Sequence, residues 1–129
     1  MASETETRGV RERLSRAPDV EPEISVVVPV LNEEGNLPSL HQELTAALGA
    51  FGRRYEILFI DDGSTDASFA LLKSIHHRDD RVRVLRFRKN FGQTAALAAG
   101  FAEAKAPIIV TLDADLQNDP RDIPRMVER

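Results

Sequence analysis

Cysteine is missing from all 129 residues, which excludes disulfides, zinc–thiolate centres and thiol catalysis. No apolar run approaches the roughly 18 residues needed to cross a bilayer. The acidic, polar N-terminus lacks the apolar core of a signal peptide, so the expectation is a soluble, cytoplasmic chain. The segment Pro29 to Gly35 carries a single glycine, not G-x-G-x-x-G, and G-x-x-x-x-G-K-[ST] occurs nowhere; a Rossmann dinucleotide site is disfavoured and a P-loop is excluded. Acidic residues outnumber basic ones, 21 to 17, for a net charge of -4, which argues against general nucleic-acid binding. No internal repeat is visible.

What is present is enough for one domain: 42% of the residues are apolar, sufficient for a core. Residues 1–22 hold Ser, Thr, Glu, Arg and Pro and are expected to form a disordered tail. From Ile24 onward strands and helices alternate. Ile24 to Val30, Tyr55 to Ile60, Val82 to Phe87 and Pro107 to Leu112 are the predicted strands. The third is interleaved with Arg83 and Arg86 and is expected to be less buried. Helices are predicted from Asn36, from an N-cap at Asp66 and over Gln93 to Ala104, where Gly100 implies close packing. Pro120 or Pro124 should open a last helix. This order predicts an α/β fold, a mainly parallel four-strand sheet flanked by helices. Residues 23–129 would form the domain.

In such sheets ligands bind beyond the carboxyl ends of the strands, and the chemistry concentrates there. Thr111-Leu112-Asp113-Ala114-Asp115-Leu116-Gln117 follows one apolar strand, and Asp61-Asp62-Gly63-Ser64 follows another. Carboxylates gathered at buried strand ends repel one another unless a cation or proton intervenes. A hard divalent ion on oxygen ligands resolves the conflict: Asp113 and Asp115 could reach one ion, with Gln117 adding an oxygen. The competing reading is an Asp-rich turn in which Asp115 or Asp119 caps the last helix. A carboxylate in the Asp61-Asp62 turn could accept a nucleobase imide N–H or a ribose hydroxyl, while Gly63 and Asp66 fit an ordinary strand-to-helix turn. Asn32 and Glu33 could contact a nucleoside or cap a helix, and spacing leaves both open. Arg78, Arg81, Arg83 and Arg86 are expected to be solvated strand-edge charges; Arg88 and Lys89, at the rim, are the basic residues placed to meet phosphate. His41, His76 and His77 fall on helical segments away from the rim, and no Ser/His/Asp arrangement can be assembled there.

Taken in order, Val26-Val27-Val28-Pro29-Val30-Leu31-Asn32-Glu33-Glu34, Tyr55 to Ser64, Arg88-Lys89-Asn90-Phe91-Gly92-Gln93, Ala99-Gly100-Phe101 and Thr111 to Pro120 resemble the family 2 glycosyltransferases of GT-A fold. More narrowly they resemble the bacterial polyprenyl-phosphate glycosyltransferases related to dolichol-phosphate mannose synthase. The resemblance runs from about residue 24 to residue 129. It implies that Pro29, Leu31 and Glu33 line a nucleoside pocket, that Ile60 and Asp62 contact the base, and that Asp113, Ala114 and Asp115 form a D-x-D element. Asp113, Asp115 and Gln117 would lie near Mg2+ or Mn2+, with Asp115 in the catalytic role. Leu31 stands where relatives often have Tyr, which would weaken stacking on the base, and Asp119 stands where Pro is common.

The resemblance further implies a nucleoside-diphosphate sugar donor, a UDP-sugar by expectation. A polyprenyl-phosphate acceptor would be bound by a C-terminal part missing from this chain, and the intact enzyme would work at the cytoplasmic face of the membrane. The chain would then be the donor-binding half of an inverting transferase and inactive alone. The alternative is a non-catalytic nucleotide-sugar-binding module or truncated product. A receiver domain is disfavoured, because the first strand ends Val30-Leu31-Asn32 and the third ends Phe87-Arg88-Lys89, without that fold's acidic placement.

Overall fold

A computed structural model describes residues 9–15, 21–115 and 119–127. Its strands are β1 (Val10–Leu14), β2 (Ile24–Val30), β3 (Tyr55–Asp61), β4 (Val82–Phe87) and β5 (Ile108–Thr111). The helices are α1 (Leu37–Phe51), α2 (Ser68–Arg78), α3 (Gln93–Glu103) and, after a 3-10 turn at Pro120–Asp122, the short α4 (Ile123–Val127). One sheet runs in the order β1-β4-β3-β2-β5, parallel throughout except for β1, which is antiparallel to β4. The expected α/β layering is therefore present, with five strands in place of four.

The hydrophobic pattern explains the order. β2 carries five consecutive residues, Ile24 to Val28, with no exposure, as a central strand covered on both faces requires. On one face Val26, Val28, Ile57, Phe59, Val82 and Val84 meet Leu37, Leu40, Leu44 and Leu48 of α1 and Phe69, Leu72 and Ile75 of α2. On the other face Val27, Leu58, Ile60, Leu85 and Phe87 meet Ala96 and Ala99 of α3. Small residues let α3 lie close, as Gly100 foretold: a methyl group there would overlap the Cγ1 of Val27.

Two expectations are corrected. Part of the supposed disordered tail is β1, because Val10-Arg11-Glu12-Arg13-Leu14 alternates half-buried and exposed positions and its charges find partners. Arg86 donates to Glu12 (3.2 Å), and Arg13 pairs with Glu103 (2.8 Å). The strand covers the free edge of β4, which would otherwise present unpaired backbone groups. The remainder of the tail, 1–8 and 16–20, lies outside the described residues.

Secondly, β4 is not a half-exposed strand. Arg83 is 6% exposed because the Glu56 carboxylate receives its guanidinium at 3.0 Å, while the Glu103 carbonyl and Ser15 Oγ accept at 2.8 and 2.9 Å. Glu56 also accepts from Ser25 Oγ and, at 2.7 Å, from the Lys105 N–H. Arg86 is likewise not a free surface charge, since its guanidinium lies 4.2 Å from the Phe69 ring centroid.

A tie between α1 and α2 carries a pH signature. His41 Nε2 lies 2.9 Å from Asp79 Oδ2, and the Arg81 N–H donates to the other oxygen at 3.0 Å. The His41 hydrogen bond, foremost, holds the Asp79 carboxyl below its ordinary value. A depressed folded pKa contributes stability that is fully present above the unfolded value of about 3.9 and disappears as pH falls through the folded value. Urea midpoints of the native chain and Asp79→Asn should therefore converge below about pH 4. A gap that stays constant down to pH 2.5 would place the stabilisation elsewhere.

Candidate functional site

β2 is the switch point of the sheet: β3 and β4 follow on one side of it, and β5 lies on the other. Chains diverging from neighbouring strand ends open a crevice there. The β2–β5 ladder ends at Val27↔Thr111, with Leu112 N–H donating to Val27 O at 3.1 Å. Pro29, which has no N–H to give, lies beyond that point, where β5 has departed and no ladder bond is needed.

A cleft of about 290 Å3 fills the crevice. Pro29, Val30, Leu31 and Glu33 line it from the end of β2 and the loop after it, Asp62 from just past β3, Asn90, Gly92 and Gln93 from the β4–α3 loop and the first residue of α3, and Asp113, Ala114 and Asp115 from just past β5. Its volume suits a nucleoside better than a complete nucleotide sugar. A depression of equal volume lies between α1 and Pro124, lined by Ala47, Ala50, Phe51 and Arg121. There Arg121 is already held by Asp119 at 2.7 Å, and no carboxylate lines the surface. Chemistry, not size, separates the two.

Hydrogen bonds between loops fix the cleft walls. Asn32 takes a left-handed conformation (φ 53°). Its side-chain oxygen accepts the Thr65 and Asp66 N–H groups at 2.8 and 3.3 Å, and its own N–H donates to Ser64 Oγ at 2.9 Å. Glu33 N–H donates to Ser68 Oγ at 2.9 Å, and Glu34 N–H to Asp66 Oδ2 at 3.3 Å. Asn32 thus ties two loops together. Glu33, which accepts from Asn36 Nδ2 at 2.7 Å, also borders the cleft. Asp66 serves α2 from one position further out than a usual cap, accepting Ser68 N–H at 2.8 Å.

The two adjacent aspartates divide their work. Asp61 is fully buried; one oxygen accepts the Ser64 N–H at 3.0 Å, and the other has no hydrogen-bond partner among the described residues. Asp62, 4% exposed, accepts the Phe91 N–H at 2.8 Å and the Gly92 N–H at 3.1 Å. A carboxylate has about four acceptor positions, so these amides leave Asp62 capacity for a ligand.

The cleft therefore unites seven of the expected residues: Pro29, Leu31, Glu33, Asp62, Asp113, Ala114 and Asp115. Three others are not brought in. Ile60 is wholly buried in the α3-side core, so its side chain is closed to a base. Arg88 and Lys89 do not line the cleft; Arg88 N–H donates to Gly9 O at 3.2 Å, and Lys89 Nζ stands 5.2 Å from the Phe91 ring. Gln117 lies outside the described residues. Asn90, Gly92 and Gln93 were not assigned roles, although Gln93 Nε2 donates to Asp113 Oδ1 at 3.3 Å. Polar residues directly before a helix at a strand's carboxyl end were the available signal.

Among the described residues no three His, Cys, Asp or Glu side chains are grouped to hold a metal. Asp113 and Asp115 alone still fit Mg2+ or Mn2+, because a small hard cation is commonly held by one or two carboxylates, with waters and substrate phosphates completing its shell. No helix among the described residues is long and apolar enough to cross a membrane.

The undecaprenyl-phosphate 4-deoxy-4-formamido-L-arabinose transferase of Pseudomonas paraeruginosa is 48% identical over 107 residues, covering 82% of this chain and 32% of that protein. The transferase of the same name from Salmonella paratyphi A is 46% identical, with 82% and 33% covered. The chain thus spans about a third of the length of these relatives. A mannosyltransferase from Pyrobaculum calidifontis, solved with GDP-Man and Mn2+, superposes with a TM-score of 0.59 at 22% identity over 92% of this chain and 35% of that one, a likeness of fold. The fold is GT-A. The model of glycosyl transferase family 2 matches residues 25–129, and the chain belongs to that family.

Proposed function

We propose that the cleft binds the nucleoside-diphosphate part of a sugar donor, a UDP-sugar by preference, together with Mg2+ or Mn2+ on Asp113 and Asp115. In a protein of the relatives' full length, the sugar would pass with inversion to a polyprenyl phosphate at the cytoplasmic membrane face. The observation that carries the reading is the meeting of Asp62, Asp113 and Asp115 in one crevice at the sheet's switch point. The identity to transferases named for undecaprenyl phosphate supports the acceptor class.

Each group has a stated task. Pro29 and Leu31 offer apolar surface to the base, while Glu33 and Asp62 offer acceptors to ribose hydroxyls or an imide N–H. Asp113 and Asp115 hold the cation, which when bound neutralises charge on the leaving diphosphate. An acceptor phosphate oxygen attacks the anomeric carbon, and the bond to the diphosphate breaks with its electron pair leaving on the diphosphate. A phosphate is already anionic near neutral pH, so no side chain need remove a proton. Arg88 and Lys89 lie outside the cleft and are given no part in this reading. The acceptor side belongs to the two thirds of the relatives' length that this chain does not span.

Calorimetric titration of UDP and UDP-sugars with Mn2+, with Mg2+ and with chelator tests the reading. Binding should need the cation, and Asp113→Asn and Asp115→Asn should each remove the metal-dependent heat. Equal heats with and without chelator would take the metal out of the site.

A further inference from the structure

We infer that β1 is a positioning element for the cleft, acting through the loop 88–92 on Asp62. The loop is pinched between two glycines. On one side the backbone of Lys89 and Asn90 lies against Gly63, where an added Cβ would sit 2.5 Å from Lys89 C and 2.6 Å from Asn90 N. On the other side Gly9, immediately before β1, faces the Phe91 ring; a Cβ there would stand 3.1 Å from Phe91 Cε2. Gly9 O also accepts the Arg88 N–H at 3.2 Å. Phe91 is kept in place by an edge-on contact with Phe87, centroids 5.5 Å apart, and Phe87 pairs with Val10 in the β1–β4 ladder.

The loop's next contact is the cleft itself. The amides of Phe91 and Gly92 donate to Asp62, and Gly92 and Asp62 both line the cavity. A segment near the start of the chain therefore reaches a cleft carboxylate through one ring and two amides. Those amides orient the Asp62 carboxylate; a Cβ at position 9 requires the Phe91 ring to give by a few tenths of an ångström, and a larger side chain should push it further and loosen the amides. Gly9 itself touches no ligand.

The consequence for ligand binding rests on the nucleotide reading above, so the test uses one readout that needs no ligand. Amide hydrogen exchange of the full chain is compared with Gly9→Ala and Gly9→Val. Protection at Phe91 and Gly92 should fall in that order, while protection in β2 and β3 is kept. UDP affinity with Mn2+, measured well below the melting temperature, should weaken on the order of tenfold in Gly9→Val, the equivalent of loosening one hydrogen bond to a charged group. Unchanged protection at both amides overturns the inference, whether or not UDP binds. Lowered protection with UDP affinity equal to the native chain's overturns the link to binding. Failure of the native chain to bind any nucleotide defeats the proposed function and leaves the exchange result to decide the coupling.

Discussion

Glu56→Ala should cost about 3–5 kcal/mol, as removing one partner of a buried ion pair does. The loss should fall on urea unfolding as a lower midpoint with little change in slope. Glu56 meets Arg83 at 3.0 Å with both side chains less than a tenth exposed, and it also receives Ser25 Oγ and the Lys105 N–H. Its removal leaves a guanidinium short of its principal partner and strips an acceptor from a buried hydroxyl and an amide at once. Domains of this kind hold about 5–15 kcal/mol in total, so the loss is a large share of the stability. Glu103, 3.3 Å from the other Arg83 nitrogen, softens the loss without replacing the lost acceptors. Replacing Arg83 with methionine alongside Glu56→Leu should recover part of the deficit, since apolar groups need no partner. A loss below about 1 kcal/mol, the range of an exposed pair, would mean that water reaches the network.

The second large effect is expected at Gly63. Its φ of +77° lies in the left-handed region, and a methyl group would press on the backbone of Lys89 and Asn90, which cannot step aside as a flexible side chain would. The left-handed conformation costs about 1–2 kcal/mol for a residue with a Cβ, and overpacking adds about 1–3. Gly63→Ala should therefore lose about 2–5 kcal/mol in thermal or urea unfolding. Gly49→Ala is the matched control. The same methyl group in the last turn of α1 meets nothing within 4 Å and should gain up to about 0.5–1 kcal/mol. Equal effects at the two positions would mean that Gly63 is not held as described.

The site was legible where charge interrupts an apolar strand. Asp62, Asp113 and Asp115 stand out in the sequence for that reason, and all three line the cleft. What escaped was pairing over distance. Arg83 looks like a surface charge until Glu56, 27 residues away, is set beside it. β1 is five residues long and finds its charge partners 74 and 90 positions further on, so no local pattern announced it. Ile60 escaped differently: it shares a face of β3 with Leu58 and is covered by the α3-side core, whereas Asp62, two residues on and past the strand's end, lines the cleft. The structural duty of Asp62 toward Phe91 and Gly92 was also invisible. It means that deleting the carboxylate would disturb a loop as well as any base contact.

The antiparallel strand at the sheet's edge also sets an order of events in synthesis. β1 leaves the ribosome well before its ladder partner β4, which lies some seventy residues later, as the Glu12–Arg86 bond spans 74 positions. At translation rates of about 5–20 residues per second, the segment waits about 4–15 s for that partner. Contacts closing long loops form late, because their entropy cost precedes their reward. The strand thus docks well after it is made. Its alternating charges, Arg11, Glu12 and Arg13 between Val10 and Leu14, keep it from seeking other strands in the interval.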